Sequence, residues 1–142
     1  MANGFVLDSS VSLSWCFKDE ETPESLSVLQ LAGQWAPVVP MLWHIEMANI
    51  LGMALKTGRM SFAEMDTVLA RIEALEIETA TDLVPLRSRR VLDLMTLSGL
   101  TAYDACYLEL AISLGLPLAT FDRKLNLAAQ AAGVPLVTAP VK

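Results

Sequence analysis

The chain has 142 residues, 54% of them hydrophobic and 18% charged, with a net charge of −6. That length suffices for a full core, so a single domain over residues 1–142 is expected, and the apolar balance excludes disorder. An acidic chain is not one that coats nucleic acid by bulk electrostatics, but an enzyme that grips phosphates through a metal is still allowed.

The start, MANGFVLD, lacks a basic stretch before an apolar core, so no signal peptide is expected. GFVLD (4–8) is a short apolar strand, followed by SSVSLSWCF (9–17), which patterns as a helix. PESLSVLQLAGQW (23–35) opens a second helix on Pro23 behind Thr22 as a cap. PVVP (37–40) is a short strand between prolines. LWHIEMANILGMALKTG (42–58) is a long helix ending near Gly58, and SFAEMDTVLARIEAL (61–75) is a regular one opened by a Ser61–Glu64 capping box. IETA (77–80) is a weak strand, and Pro85 to Ser98 is another helix. LTAYDACYLELA (100–111) is helical in period, with Leu100, Tyr103, Tyr107 and Leu110 at spacings of three and four. PLATF (117–121) is a strand, DRKLNLAAQAAG (122–133) a helix stopped by Gly133, and PLV (135–137) a last strand.

The charge-free run from Ser25 to Ile45 contains Gln30, Gly33, Gln34, Pro37 and Pro40, which argues against a membrane span. Cys16 and Cys106 form neither a disulfide framework nor a metal spacing; they are expected to be small buried hydrophobes in a reducing cytoplasm. Short apolar strands alternating with helices predict an α/β fold, a mainly parallel sheet with helices on both faces. Such sheets collect functional groups beyond the carboxyl ends of their strands.

Sixteen acids are present, and most lie in solvated settings. Asp8 after FVL, Glu46 within MLWHIEMANIL, Asp104 within LTAYDACYL and Asp122 after LATF do not. Carboxylates rarely sit among apolar neighbours unless they are paired or bind metal. Asp8 and Asp122 also suit the N-caps of the helices that follow, and Asp104 suits a capping box with Thr101. Glu46 lies inside a helix and has no capping role; Asn49, at i+3, stands beside it as an orienting neighbour. Asp93 and Glu109 have apolar flanks too. Asp93 has Arg89 or Arg90 to pair with, and Glu109 lies about 140° around its helix from Asp104 on the helical period. Both are read as structural.

Four clustered carboxylates repel one another unless a cation joins them. The hard ions Mg²⁺ and Mn²⁺ suit an all-oxygen set, and His44 has no second histidine with which to make a zinc site. A metal held this way supports phosphoryl chemistry. Thr120, two residues before Asp122, is placed to position a water or phosphate.

Taken together, VLDSSVSLSW, VPMLWHIEMANIL, LTAYDACYLELA and GLPLATFDRKLNLAA resemble a PIN domain, and closely the VapC toxins of bacterial toxin–antitoxin pairs. The resemblance runs from Phe5 to Val137 and is least characteristic over Ile77–Leu92. It implies a PIN-like α/β/α sandwich and Mg²⁺-dependent endoribonuclease activity, with Mn²⁺ as a substitute. It also implies neutralisation by a VapB-type antitoxin, and homodimers. By position, Asp8, Glu46, Asp104 and Asp122 fall on the family's acidic metal-binding residues, Thr120 on its small hydroxyl and Asn49 on its polar helper.

A dinucleotide binder would need a Gly-rich turn where DSSVS stands, and an aspartyl-nucleophile phosphatase usually has a second Asp where Ser10 stands. The rival reading is an inactive PIN-like module that only binds RNA or protein. Trp15, Trp35 and Trp43 are read as core or interface anchors, and His44 as a local hydrogen-bonding residue. Arg87, Arg89 and Arg90 form the only basic cluster, a solvated face with RNA phosphate contact as its second reading, as for Lys18, Arg123 and Lys124.

Overall fold

The computed structural model describes residues 3–82 and 85–137. Its frame is a four-stranded, wholly parallel sheet of order β3-β2-β1-β4, flanked by helices. The strands are β1 (Gly4–Leu7), β2 (Ala36–Pro40), β3 (Glu78–Ala80) and β4 (Leu118–Ala119). Every residue of β1 is buried, as a central parallel strand covered on both faces requires. Gly4 opens it because the neighbouring strand is close: a Cβ there would stand 2.9 Å from the Ala36 carbonyl oxygen.

The helices are α1 (Ser9–Ser14), α2 (Pro23–Ala32), α3 (Met41–Thr57), α4 (Phe62–Ala74), α5 (Arg89–Ser98), α6 (Ala102–Leu114) and α7 (Arg123–Ala131). Local chemistry sets their ends. Thr22 and Ser25 exchange side-chain and backbone bonds at the start of α2, each 3.0 Å, and Ser61 and Glu64 do the same for α4. Gly58, at φ 77°, closes α3 in the left-handed conformation that only glycine adopts cheaply.

Four expectations differ in extent. The helix expected through Phe17 stops at Ser14, because the buried Trp15 turns inward to donate its indole N–H to the Ser25 carbonyl at 2.7 Å. The helix expected from Pro85 begins instead at Arg89. Ser88 caps it by accepting from the Val91 N–H at 3.3 Å, and Pro85–Arg87 forms a separate 3-10 turn. PLATF contributes only Leu118–Ala119 as strand, since Thr120 leaves the ladder for side-chain bonding. The last expected strand is reduced to one parallel bridge, Leu118 to Leu136.

The core runs along both faces of the sheet, from Phe5, Val6 and Leu7 to Tyr107, Leu108, Leu118 and Leu125. Helix α6 packs against β1, β2, β4, α5 and α7, so it is apolar nearly all round. Cys16 and Cys106 are free and buried, in the core as read. Trp15 and Trp43 are buried anchors, and Trp43 donates to the Ser12 hydroxyl at 2.9 Å. No helix among the described residues is long and apolar enough to cross a membrane.

Candidate functional site

Because β1 and β4 are parallel neighbours, their carboxyl ends fall side by side, and the Asp8 N–H donates to the Ala119 carbonyl at 3.0 Å. The residue after each strand therefore turns out at one edge: Asp8 after β1, Thr120 after β4. Pro40 ends β2 and leads directly into α3, which brings Glu46. The starts of α6 and α7 bring Asp104 and Asp122.

Asp8 is the most enclosed of the four acids, only 3% exposed. It occupies the N-cap position of α1, but its side chain makes no capping bond. Its Oδ2 instead accepts from the Ser10 hydroxyl at 2.6 Å and the Thr120 hydroxyl at 2.7 Å. Burial raises its pKa. The two hydroxyls oppose that rise, and the charge of Asp122 adds to it. Thr120 in turn accepts from the Asp122 N–H at 3.0 Å, and Ser10 from the Phe121 N–H at 2.9 Å. Two hydroxyls thus tie the end of β1 to the loop that starts α7.

Glu46 is half-buried on α3, and its Oε1 accepts from the Tyr107 hydroxyl at 2.5 Å. Burial raises its pKa, the hydroxyls of Tyr107 and Ser9 lower it, and the charge of Asp8 raises it further.

Asp104 stands in the first turn of α6, where Thr101 accepts from its backbone N–H at 3.2 Å. No bond returns from the Asp104 carboxylate to the Thr101 N–H, so the capping box is half-formed. Burial, then the charges of Asp122, Asp8 and Glu46, push its pKa up to about 6. All three of the other acids act on this one carboxylate. Asp122 has two roles: its Oδ1 caps α7 by accepting from the Leu125 N–H at 2.9 Å, and its charge reaches Asp8 and Asp104.

The four acids thus share one electrostatic neighbourhood, with Thr120 inside it. Asn49 is exposed and makes no hydrogen bond to Glu46. His44 lies outside the cluster, where its Nε2 bonds Thr79 at 2.8 Å. Ser10 and Tyr107 were not singled out as site residues by sequence reasoning. The one available signal was spacing: Ser10 is two residues past Asp8, and Tyr107 is one helical turn past Asp104.

The donors are all oxygens, which is the chemistry of a hard divalent cation. Among the described residues no three acids, histidines or cysteines close into a ready-made metal cage. A cleft of about 560 Å³ lies elsewhere, lined by Trp15, Phe17, Arg59 and Arg71 among others, and none of the four acids lines it. The basic cluster is largely committed: Arg89 pairs with Asp93 at 3.0 Å, and Arg90 with the buried Glu109 at 3.5 Å.

The PIN domain model matches residues 5–131, and the chain belongs to that family. PIN domains are commonly metal-dependent nucleases. Among solved structures, it is similar to PAE2754 from Pyrobaculum aerophilum, with 24% identity, a TM-score of 0.64, and 94% of this chain and 99% of that one covered. A domain of a functionally unknown protein from Methanocaldococcus jannaschii is also similar, with 18% identity, a TM-score of 0.53, and 96% and 90% covered. No curated protein matches.

Proposed function

We propose that this protein is a Mg²⁺-dependent endoribonuclease, with Mn²⁺ as a substitute, and the VapC-type toxin of a toxin–antitoxin pair. One observation carries the nuclease reading. In a PIN domain, three acids from three other segments, Asp8, Glu46 and Asp122, gather their charge on Asp104 at the carboxyl edge of the sheet. Asp8, Glu46, Asp104 and Asp122 would hold the cation; bound there, it supplies Lewis acidity toward a phosphoryl oxygen. Ser10 and Thr120 fix the Asp8 carboxylate through Oδ2, so its Oδ1 is the oxygen that receives neither hydroxyl. Thr120 also holds the Asp122 N–H, which sets the spacing of two of the acids.

The test is cleavage of structured RNA by the purified protein in Mg²⁺, with and without EDTA. Cleavage that stops in EDTA and returns with Mg²⁺ is expected, and undiminished cleavage in EDTA overturns the metal mechanism. An inactive binding module would bind RNA and cut none.

The toxin reading rests on the sequence resemblance to VapC and adds two partners. One is a second copy of this chain, in a homodimer; the other is a VapB-type antitoxin whose apolar helix covers part of the surface and whose basic residue approaches the acids. Co-expression with the neighbouring reading frame should recover a complex of the two chains. Recovery of the homodimer alone counts against the toxin reading and leaves the nuclease reading standing.

A further inference from the structure

We propose that Tyr107 is a positioning residue for the cation site, holding the Glu46 carboxylate where it serves as a ligand. This inference rests on the metal-site reading above. Tyr107 is fully buried, yet it spends its hydroxyl on Glu46, a residue 61 positions earlier on a different helix. Buried hydroxyls need partners, and α6 is otherwise nearly apolar where it packs on the sheet. Tyr107 also lies one turn after Asp104, on the same face of α6.

One rigid helix therefore carries an acid of the site and the hydroxyl that fixes a second acid. The bond is made to Oε1 of Glu46, so Oε2 does not receive the Tyr107 hydroxyl. Glu46 has three rotatable side-chain bonds and no bond to Asn49; the Tyr107 hydroxyl is the stronger of the two hydroxyls, with Ser9, that hold its carboxylate. Hydrogen-bond partners of metal-ligating carboxylates contribute to affinity in this way.

Tyr107→Phe removes the hydroxyl and keeps the ring that packs in the core. Mn²⁺ titration by calorimetry on the purified protein, without RNA, reads the site directly. Mn²⁺ affinity should fall about 10- to 100-fold, the usual cost of losing such a partner. A metal-free thermal melt checks that the fold is retained. In a Glu46→Gln background, where the ligand is already gone, Y107F should cause no further loss. An unchanged affinity in Y107F overturns the proposal, and so does an equal further loss in the E46Q background, which would mark a general packing role. If Y107F does not fold, Glu46→Asp draws the carboxylate one methylene away from the hydroxyl; Mn²⁺ binding by E46D as tight as in wild type then overturns the proposal. Wild-type protein that binds no Mn²⁺ and cuts no RNA removes the metal-site reading itself, and this proposal with it.

Discussion

Asp104 bears the charge of three other acids, and its protonation is linked to stability. Its folded pKa of about 6 stands above the ordinary aspartate value of 3.8. Between those values the unfolded chain releases the proton first, so metal-free stability falls as pH rises through that window and levels off above it. Below it, both states are protonated and the penalty disappears. Asp104 is half-exposed, and water screens the repulsion, so the penalty at neutral pH is on the order of 1 kcal/mol. Asp104→Asn should therefore abolish cleavage and stabilise the metal-free protein by about that amount at pH 7.5. The gain should vanish below the acid end of the window. Denaturant melts at the two pH values in EDTA, beside one cleavage assay, check this. A purely structural cap predicts full activity in the Asn variant, since Asn caps as well as Asp. Asp122 separates its two roles by a similar comparison. Asp122→Ala loses the bond to the Leu125 N–H and should cost about 1 kcal/mol, whereas Asp122→Asn keeps a cap and should cost a few tenths at most. Both should lose cleavage.

At the scale of elements, α5 and α6 are joined by a polar contact in apolar surroundings. Glu109 is buried, and its carboxylate accepts from Arg90, Ser88 and Ser113. Arg90→Ala leaves that carboxylate with the two hydroxyls alone and should destabilise the protein by about 1–2 kcal/mol. Thermal melts of Arg90→Ala and Arg89→Ala distinguish the buried pair from the exposed i,i+4 pair, whose loss should cost less than about 0.5 kcal/mol. The helices were largely legible in the sequence because capping residues and periodic apolar faces are local signals, seen at Ser61–Glu64 and Gly58. The strands were less so. Leu118–Ala119 is two residues long, and its pairing depends on β1, which no local pattern encodes. Nor does composition alone reveal that Ser88 rather than Pro85 starts α5.

For the whole molecule, the four acids were legible because each stood out against apolar flanks. Their hydroxyl partners were not. Ser10 and Tyr107 look like an ordinary helix serine and a core aromatic until the chain folds them against Asp8 and Glu46. Asn49 was singled out by spacing on one helix, and that spacing placed it in solvent. A cation bound only by the folded state stabilises it by mass action, about 2.7 kcal/mol at a hundredfold excess over its dissociation constant. Mg²⁺ should accordingly raise the melting temperature of the wild-type protein by several degrees, and should raise that of Asp104→Asn by much less. Differential scanning fluorimetry with Mg²⁺ and EDTA decides it.

The bond from Thr120 to Asp8 spans 112 positions of sequence, which gives the site a place in time during synthesis. At typical elongation rates, on the order of 10 s separates the emergence of Asp8 from that of Thr120. Until then β1 lacks one of its two neighbours, and Asp8 lacks a hydroxyl that holds it. A nascent chain that has reached α6 already carries Asp8, Glu46 and Asp104, but neither Thr120 nor Asp122. The site thus stays unfinished until Thr120 and Asp122 have been made and β4 has paired with β1.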